Sequence, residues 1–311
     1  MNPLLRTPLL DGLELKNPVM PASGTYGAAL EGKEFGDVRE LGAIVTKTVT
    51  PKPRKGNPPP RLAETPCGML NSIGLENPGL ETFLAEVLPR ALELGPPVIL
   101  NLGGESLEEF EWGVERVQET GVVALEINLS CPNVQGGALP FATDPEACLR
   151  IAQSLSNRSE LPLFFKLSPN THLLCEVAMA AVEGGAQGLT LINTLLGMAV
   201  DWRLGRPRIA RGVAGLSGPA IKPVALRCIY QVRQVVEVPI LGVGGIQSVE
   251  DVCEFLAAGA SAVQVGTQHF REPLAGVRLA RELGELCAQE GFSVQDLQNR
   301  LGKDRKRNRD H

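Results

Sequence analysis

The chain has 311 residues, of which 43% are hydrophobic and 21% charged, and its formal net charge is −5. This length allows one large core or two smaller domains, and the acidic balance argues against a surface built to neutralise nucleic-acid phosphates. No apolar run approaches the roughly 18–20 residues that a membrane span needs, and the N-terminus lacks a signal-peptide pattern. The seven cysteines include no CxxC pair, and a chain of this size does not need disulfides. We therefore expect a soluble protein of a reducing compartment, the cytoplasm.

Short apolar runs rich in β-forming residues alternate along the chain with segments of helical periodicity. The predicted strands are residues 18–22, 43–47, 98–102, 124–129, 163–167, 188–192, 239–243 and 262–265. The predicted helices are residues 80–94, 106–119, 145–155, 173–183, 224–236, 249–258 and 274–289. Strands that are apolar on both faces and alternate with helices are typical of a parallel sheet covered by helices.

Eight such units predict an α/β fold, a (β/α)8 TIM barrel with insertions after strands 2, 4 and 6. We expect a single catalytic domain over residues 1–311, in which the charged stretch 302–311 is a frayed tail. The alternative architecture is a doubly wound open sheet, which predicts a glycine fingerprint after the first strand. Residues 18–24 do not supply one.

Two connections, residues 48–78 and 193–223, are too long for plain turns. The first is rich in proline and the second in glycine and arginine. Long structureless loops in compact domains are usually either functional lids or disordered, although they can also be ordinary surface loops. Because both follow a predicted barrel strand, we expect both at the face where barrel enzymes place their chemistry.

Small or polar residues end every predicted strand. In chain order the ends include Ser23, Lys47 and Thr48, Asn101, Asn128, Lys166, Asn193 and Thr194, Gly244 and Gly245, and Gly266 and Thr267. Any strand must eventually meet water, but eight consecutive ends with small or polar residues favour a shared site at the mouth of the barrel. The glycines after strands 7 and 8 predict a phosphate site there, because glycine lets a phosphate approach backbone N–H groups closely. The chain contains no GxGxxG dinucleotide fingerprint.

Cys131 is the candidate reactive residue, since it follows a strand in a loop that also contains Asn128 and Asn133. A cysteine nucleophile normally needs a histidine partner, and none of the three histidines lies at a strand end near it. This argues against a Cys–His hydrolase and leaves open a thiol that acts alone as a proton acceptor. No cluster of Cys, His, Asp or Glu has metal-ligand spacing, so no metal is expected.

Three motifs resemble those of the class 1 dihydroorotate dehydrogenases. They are NLSCPN at residues 128–133, NSIGLENPG at residues 71–79 and LSGPAIKP at residues 216–223. The likeness runs in the right order from about residue 13 to residue 266 and beyond. CPNVQGG at residues 131–137 and INTLLG at residues 192–197 are more similar to the catalytic subunit of the NAD-linked class 1B than to the fumarate-linked class 1A.

The resemblance implies FMN as the cofactor and dihydroorotate as the substrate. The implied FMN contacts are Ser23, Lys47, Thr48, Asn101, Asn128, Lys166, Ile192, Gly218, Gly244, Gly245, Gly266 and Thr267. The implied substrate contacts are Lys47, Asn71, Ser72, Ile73, Gly74, Leu75, Asn128, Asn133, Asn193 and Thr194. Cys131 is implied as the base that removes a proton from C5, while a hydride passes from C6 to N5 of the FMN.

The resemblance further implies a homodimer, or a heterotetramer with an electron-transfer subunit that carries FAD and an iron–sulfur cluster and passes electrons to NAD. This chain has no cysteine spacing for such a cluster. The alternatives are another FMN barrel acting on a reduced pyrimidine, similar to dihydropyrimidine dehydrogenase or dihydrouridine synthase, and a non-redox barrel that binds a phosphorylated metabolite. A purely structural role leaves the polar strand ends without a reason.

Overall fold

The computed structural model describes residues 2–129, 140–298 and 300–301. Eight parallel strands form one sheet that curls into a nearly closed barrel. From first to eighth, the barrel strands are Val19–Pro21, Ile44–Val45, Val98–Leu102, Ala124–Asn128, Leu163–Lys166, Gly188–Leu191, Ile240–Val243 and Ala262–Val265. Consecutive strands from the second onward pair with each other, and the eighth pairs with the first. At the remaining seam, Gly42 N–H donates to the carbonyl of Val19 at 2.8 Å. The predicted barrel is confirmed, and the open-sheet alternative is wrong.

Helices cover the outside of the barrel. They are Leu80–Thr82, Leu88–Leu92, Leu107–Arg116, Pro145–Ser156, Leu174–Glu183, Lys222–Arg233, Val249–Ala258, Ala275–Glu290 and Val294–Gln298. The predicted helix 80–94 contains a π-helical stretch at Phe83–Val87, because Pro89 has no N–H to continue the regular pattern. Short 3-10 helices lie at Pro3–Leu5, Gly32–Glu34, Val38–Glu40, Pro140–Ala142, Pro219–Ile221 and Thr267–Phe270. Within the part of the chain that the structure describes, no helix is both long and apolar enough to cross a membrane.

Side chains of successive strand residues alternate between the barrel interior and the helical layer. Along the fourth strand, Ala124 packs inside with residues of other strands, whereas Leu125 and Ile127 belong to the outer core with the helices. An N-terminal hairpin, Thr7–Leu10 with Leu13–Leu15, supplies apolar side chains that pack against the interior cluster near the amino ends of the strands. The opposite end of the barrel is therefore the one that can hold a site.

The sequence suggested that the connections after the second and sixth strands are long loops without regular structure, but both contain β-strands. Together they form a four-stranded antiparallel sheet, here called the insertion sheet, in the order Leu195–Met198, Val213–Ser217, Gly68–Asn71, Leu62–Thr65. A two-stranded ribbon, Val200–Asp201 with Arg206–Pro207, extends from it. The two middle strands pair Leu70 with Leu216, and partners so distant in sequence leave no local signal. The insertion predicted after the fourth strand falls mostly on residues 130–139, outside the described residues.

His269 should make stability depend on pH. Its side chain is 4% exposed; Nε2 accepts from Gly276 N–H and Nδ1 lies 3.0 Å from the carbonyl of Val265. Burial lowers the pKa of His269 to about 4, although the Val265 carbonyl and Glu272 oppose this. The unfolded chain therefore takes up the proton first as pH falls, and we expect the free energy of unfolding to drop by about 3 kcal/mol between pH ~6.5 and ~4.

Urea denaturation at several pH values checks this, with His269→Gln as the comparison. The variant should lose this part of the pH dependence while keeping the contribution of the carboxylates. Equal pH dependence in the two proteins would exclude His269 as the cause.

Candidate active site

A cavity of about 670 Å³ opens between the carboxyl ends of the barrel strands and the insertion sheet. This volume lies in the range of small-molecule and cofactor sites. The structure brings most of the predicted site residues to its walls: Ser23, Lys47, Thr48, Asn71, Ile73, Gly74, Leu75, Asn128, Lys166, Ile192, Asn193, Thr194, Gly218, Gly244, Gly245, Gly266 and Thr267. Strand ends that are far apart in sequence therefore meet at one mouth.

Two predicted site residues are placed differently, and two others are not among the described residues. Asn101 does not line the cavity; it is fully buried and donates to Glu126 Oε1 at 2.5 Å. Ser72 is buried as well, and its hydroxyl accepts from Asn57 at 2.9 Å. Cys131 and Asn133 lie outside the described residues, so their roles stay predictions.

The charged side chains of the cavity favour an anionic ligand. Among the described residues, Lys47, Lys166, Arg61 and Arg211 line it, against one carboxylate, Glu76. Burial lowers the pKa of Lys47; Glu76 opposes the shift and Arg61 adds to it. An anion bound beside Lys47 would restore part of the lost solvation and favour the charged ammonium.

A row of side-chain amides crosses the same cavity. Asn193 donates to Asn128 Oδ1 at 3.3 Å, and Asn128 in turn donates to the hydroxyl of Thr48 at 3.3 Å. Asn71 reaches in from the insertion sheet and donates to the carbonyl of Gly215 at 3.3 Å. Because each amide carries two donors and two acceptor lone pairs, the row can match a ring of alternating carbonyl and N–H groups.

Glycine backbone forms the part of the cavity that follows the seventh strand. Gly245 has a φ of 80°, and a Cβ there would lie 2.8 Å from the carbonyl oxygen of Gly218. Gly218 itself has a φ of 91°, and its Cβ would lie 2.7 Å from Gly68 Cα. Only glycine fits at these two positions, because backbone already occupies the place of a side chain. With Gly244, Gly266 and Thr267 they form a stretch of cavity wall with almost no side chains, here called the glycine cradle. This geometry fits the phosphate of a cofactor.

Gly245→Ala should therefore impair both stability and cofactor binding. The left-handed backbone and the close contact together should lower the free energy of unfolding by about 1–3 kcal/mol. They should also weaken the binding of FMN, the cofactor that the sequence resemblance implies, more than about tenfold. Gly12→Ala is the matched control, because Gly12 has a φ of 78° but nothing within 4 Å of its Cβ position. FMN binding measured by ultrafiltration should be unchanged in the control. Normal FMN binding by Gly245→Ala would contradict the cradle.

Sequence reasoning missed several residues of the site. Arg61 and Arg211 reach the cavity from the two insertions, where no periodicity predicted their direction. Glu126 lies inside the barrel below the cavity and was also missed. Its signal was present, since a lone carboxylate within the buried run ALEIN at residues 124–128 needs partners. In the described part of the chain, no three His, Cys, Asp or Glu residues are grouped to hold a metal ion.

Comparison with known proteins shows the family of this chain. Residues 5–287 match the family described as dihydroorotate dehydrogenase. Three similar proteins are each named dihydroorotate dehydrogenase B (NAD(+)), catalytic subunit. The Listeria monocytogenes protein is 50% identical over 290 residues, 93% of this chain and 95% of the relative. The Solidesulfovibrio magneticus protein is 50% identical over 295 residues, and the Bacillus cytotoxicus protein 47% identical over 296 residues, each match covering 94% of this chain and 96% of the relative.

Proposed function

The chain belongs to the dihydroorotate dehydrogenase family, and we propose that it is the catalytic subunit of an NAD-linked dihydroorotate dehydrogenase of pyrimidine biosynthesis. The observation that carries this proposal is the joining, in one cavity, of two lysines, a row of amides and the glycine cradle. An anionic ring and a phosphorylated cofactor both find complementary groups there. The other FMN barrels and the non-redox barrel have no observation of their own in their favour.

FMN is the proposed cofactor. The glycine cradle with Gly266 and Thr267 would hold its phosphate, and Ser23, Thr48 and Lys166 would contact the rest. FMN supplies a hydride acceptor that the side chains of the chain lack. Asn101 supports the site indirectly through Glu126.

Dihydroorotate is the proposed substrate. Lys47 would pair with its carboxylate, and Asn71, Asn128 and Asn193 would bind its ring, with Thr194 and Asn133 as further partners. The backbone of residues 72–75 would contact it from the first insertion. Cys131 would take the proton from C5 while C6 gives up a hydride, so that a C5–C6 double bond forms and orotate leaves.

The relatives are named catalytic subunits, which supports a separate electron-transfer partner. We propose that this partner carries FAD and an iron–sulfur cluster and passes the electrons to NAD. The catalytic chains would form a homodimer of single-domain barrels, as part of a heterotetramer in the cytoplasm.

An absorbance spectrum of the purified protein tests the proposal first. We expect flavin bands that bleach on anaerobic addition of dihydroorotate and return when NAD and the partner are added, but not with fumarate. A colourless protein, or flavin that dihydroorotate leaves oxidised, would contradict the proposed function. Reoxidation by fumarate without a partner would contradict the NAD-linked class.

A further inference from the structure

A fully buried carboxylate lies inside the barrel, directly below the cavity. Glu126 is 0% exposed and accepts three hydrogen bonds from three other strands. Asn101 donates to Oε1 at 2.5 Å, while Thr190 and Gln264 donate to Oε2 at 2.7 and 2.6 Å. An isolated ionised carboxylate at such a position would be costly, and the three hydrogen bonds that it accepts stabilise its ionised form.

The orientation of the two amides supports an ionised Glu126. Within the described residues, the side-chain oxygens of Asn101 and Gln264 are buried without a hydrogen-bond partner, because both NH2 groups turn to the carboxylate. A buried oxygen without a hydrogen-bond partner costs about 1–3 kcal/mol. The stronger hydrogen bonds that the two NH2 groups donate to a charged carboxylate offset that cost. Burial raises the pKa of Glu126, but Lys166 and the three donors outweigh it and hold the pKa below its ordinary value.

Lys166 connects this carboxylate to the cavity. Its ammonium lies 3.5 Å from Glu126 Oε1 and donates to the hydroxyl of Ser23 at 3.1 Å. Its side chain is only 7% exposed, yet it lines the cavity wall. Lys166 is therefore held by Glu126 inside the barrel, while part of its side chain faces the cavity where a ligand would bind.

We propose that Glu126 is a positioning residue, which holds the Lys166 ammonium so that it is directed at the ring of the bound cofactor. This inference rests on the proposed function. Without the carboxylate, the ammonium would lose its anchor on the barrel side. An ammonium turned away from the ring would stabilise the negative charge of a reduced flavin less well.

Glu126→Gln tests the role because it removes the charge and nearly keeps the shape. The new NH2 group has an acceptor available, since the amide of Gln264 can turn its unpartnered oxygen toward it. At pH 8 the flavin-loaded variant should have a more negative flavin midpoint potential than the wild type. Dihydroorotate should reduce its flavin at least about tenfold more slowly. Potentials are measured by dye-coupled titration with dithionite, which needs no substrate turnover.

A double-variant cycle separates positioning from a merely structural role. In a Lys166→Met background, Glu126→Gln should change the potential little and the rate by less than about twofold, because no ammonium remains to be positioned. The proposal would be overturned if Glu126→Gln changed the potential and the rate equally in both backgrounds. It would also be overturned if Glu126→Gln changed neither of them in the protein that retains Lys166. Glu81→Gln is the control for charge alone: Glu81 pairs with Arg116 on the surface, and its loss should leave both readouts unchanged.

Two further arms keep the test decisive. If Glu126→Gln does not fold, Thr190→Val removes one donor to Glu126 and should give a smaller change in the same direction, again only when Lys166 is present. If dihydroorotate fails to reduce the wild-type flavin, the proposed function is wrong, whereas the dithionite potentials still decide the role of Glu126. A potential that changes with Glu126→Gln only when Lys166 is present would support the inference, whether or not dihydroorotate reduces the flavin.

Discussion

Cys131→Ala should remain yellow with bound FMN but reduce that flavin with dihydroorotate about 10²–10⁴ times more slowly than the wild type. The thiolate is the proposed acceptor of the C5 proton, and alanine has no atom that can replace it. The glycine cradle and Lys166 belong to other segments of the chain, so cofactor content should be normal. Anaerobic stopped-flow absorbance measures the reduction, and the spectrum of the purified variant measures the FMN content.

Two comparisons make this prediction specific. Cys67→Ala removes an exposed free thiol and should leave the reduction rate unchanged. The wild-type rate should rise with pH through the pKa of the thiol, whose reference value is about 8.5, because the deprotonated form is the base. Near-normal reduction by Cys131→Ala would remove Cys131 from the mechanism.

Lys166→Ala should be the most damaging single change among the described cavity residues. It leaves Glu126 without its counter-ion inside the barrel, and breaking such a buried pair costs about 3–5 kcal/mol of unfolding free energy. FMN should bind more weakly and be reduced more slowly. Because Glu126 can escape the penalty by taking a proton, the stability loss should be larger at pH 8 than at pH 5.

Chemical denaturation at the two pH values measures this effect. Lys52→Ala is the control, because Lys52 is 86% exposed in its ion pair with Glu109 and should lose less than about 1 kcal/mol. A stability loss for Lys166→Ala that is small or independent of pH would show that Glu126 does not depend on Lys166. An unchanged flavin spectrum and reduction rate would refute the role of Lys166 in the site.

The barrel could be predicted because its signal is local. Each strand is a short run that is apolar on both faces, and each helix has its own periodicity and often its own cap. Ser106, for example, accepts from Glu109 N–H at the start of its helix. Residues at strand ends, such as Lys47, Lys166 and Gly245, could be assigned to one mouth because parallel strands all end on the same side.

Other parts of the site depend on contacts between distant segments. The insertion sheet pairs two connections on either side of the third to sixth barrel strands, so neither half shows its structure alone. Asn101 lies next to the last residue of its strand and Asn128 is the last residue of its own, yet one turns to Glu126 and the other lines the cavity. The motifs could not distinguish them, because the packing of neighbouring strands sets the direction of a side chain.

Local patterning was sufficient for the fold class, the order of the elements and most of the residues at the mouth, since these follow from periodicity and from where each apolar run stops. Only tertiary structure decided the partners of Glu126, which lie 25, 40, 64 and 138 residues away in the chain. A buried charge selects its partners through space, and the closure of the barrel is what brings those four side chains to one carboxylate.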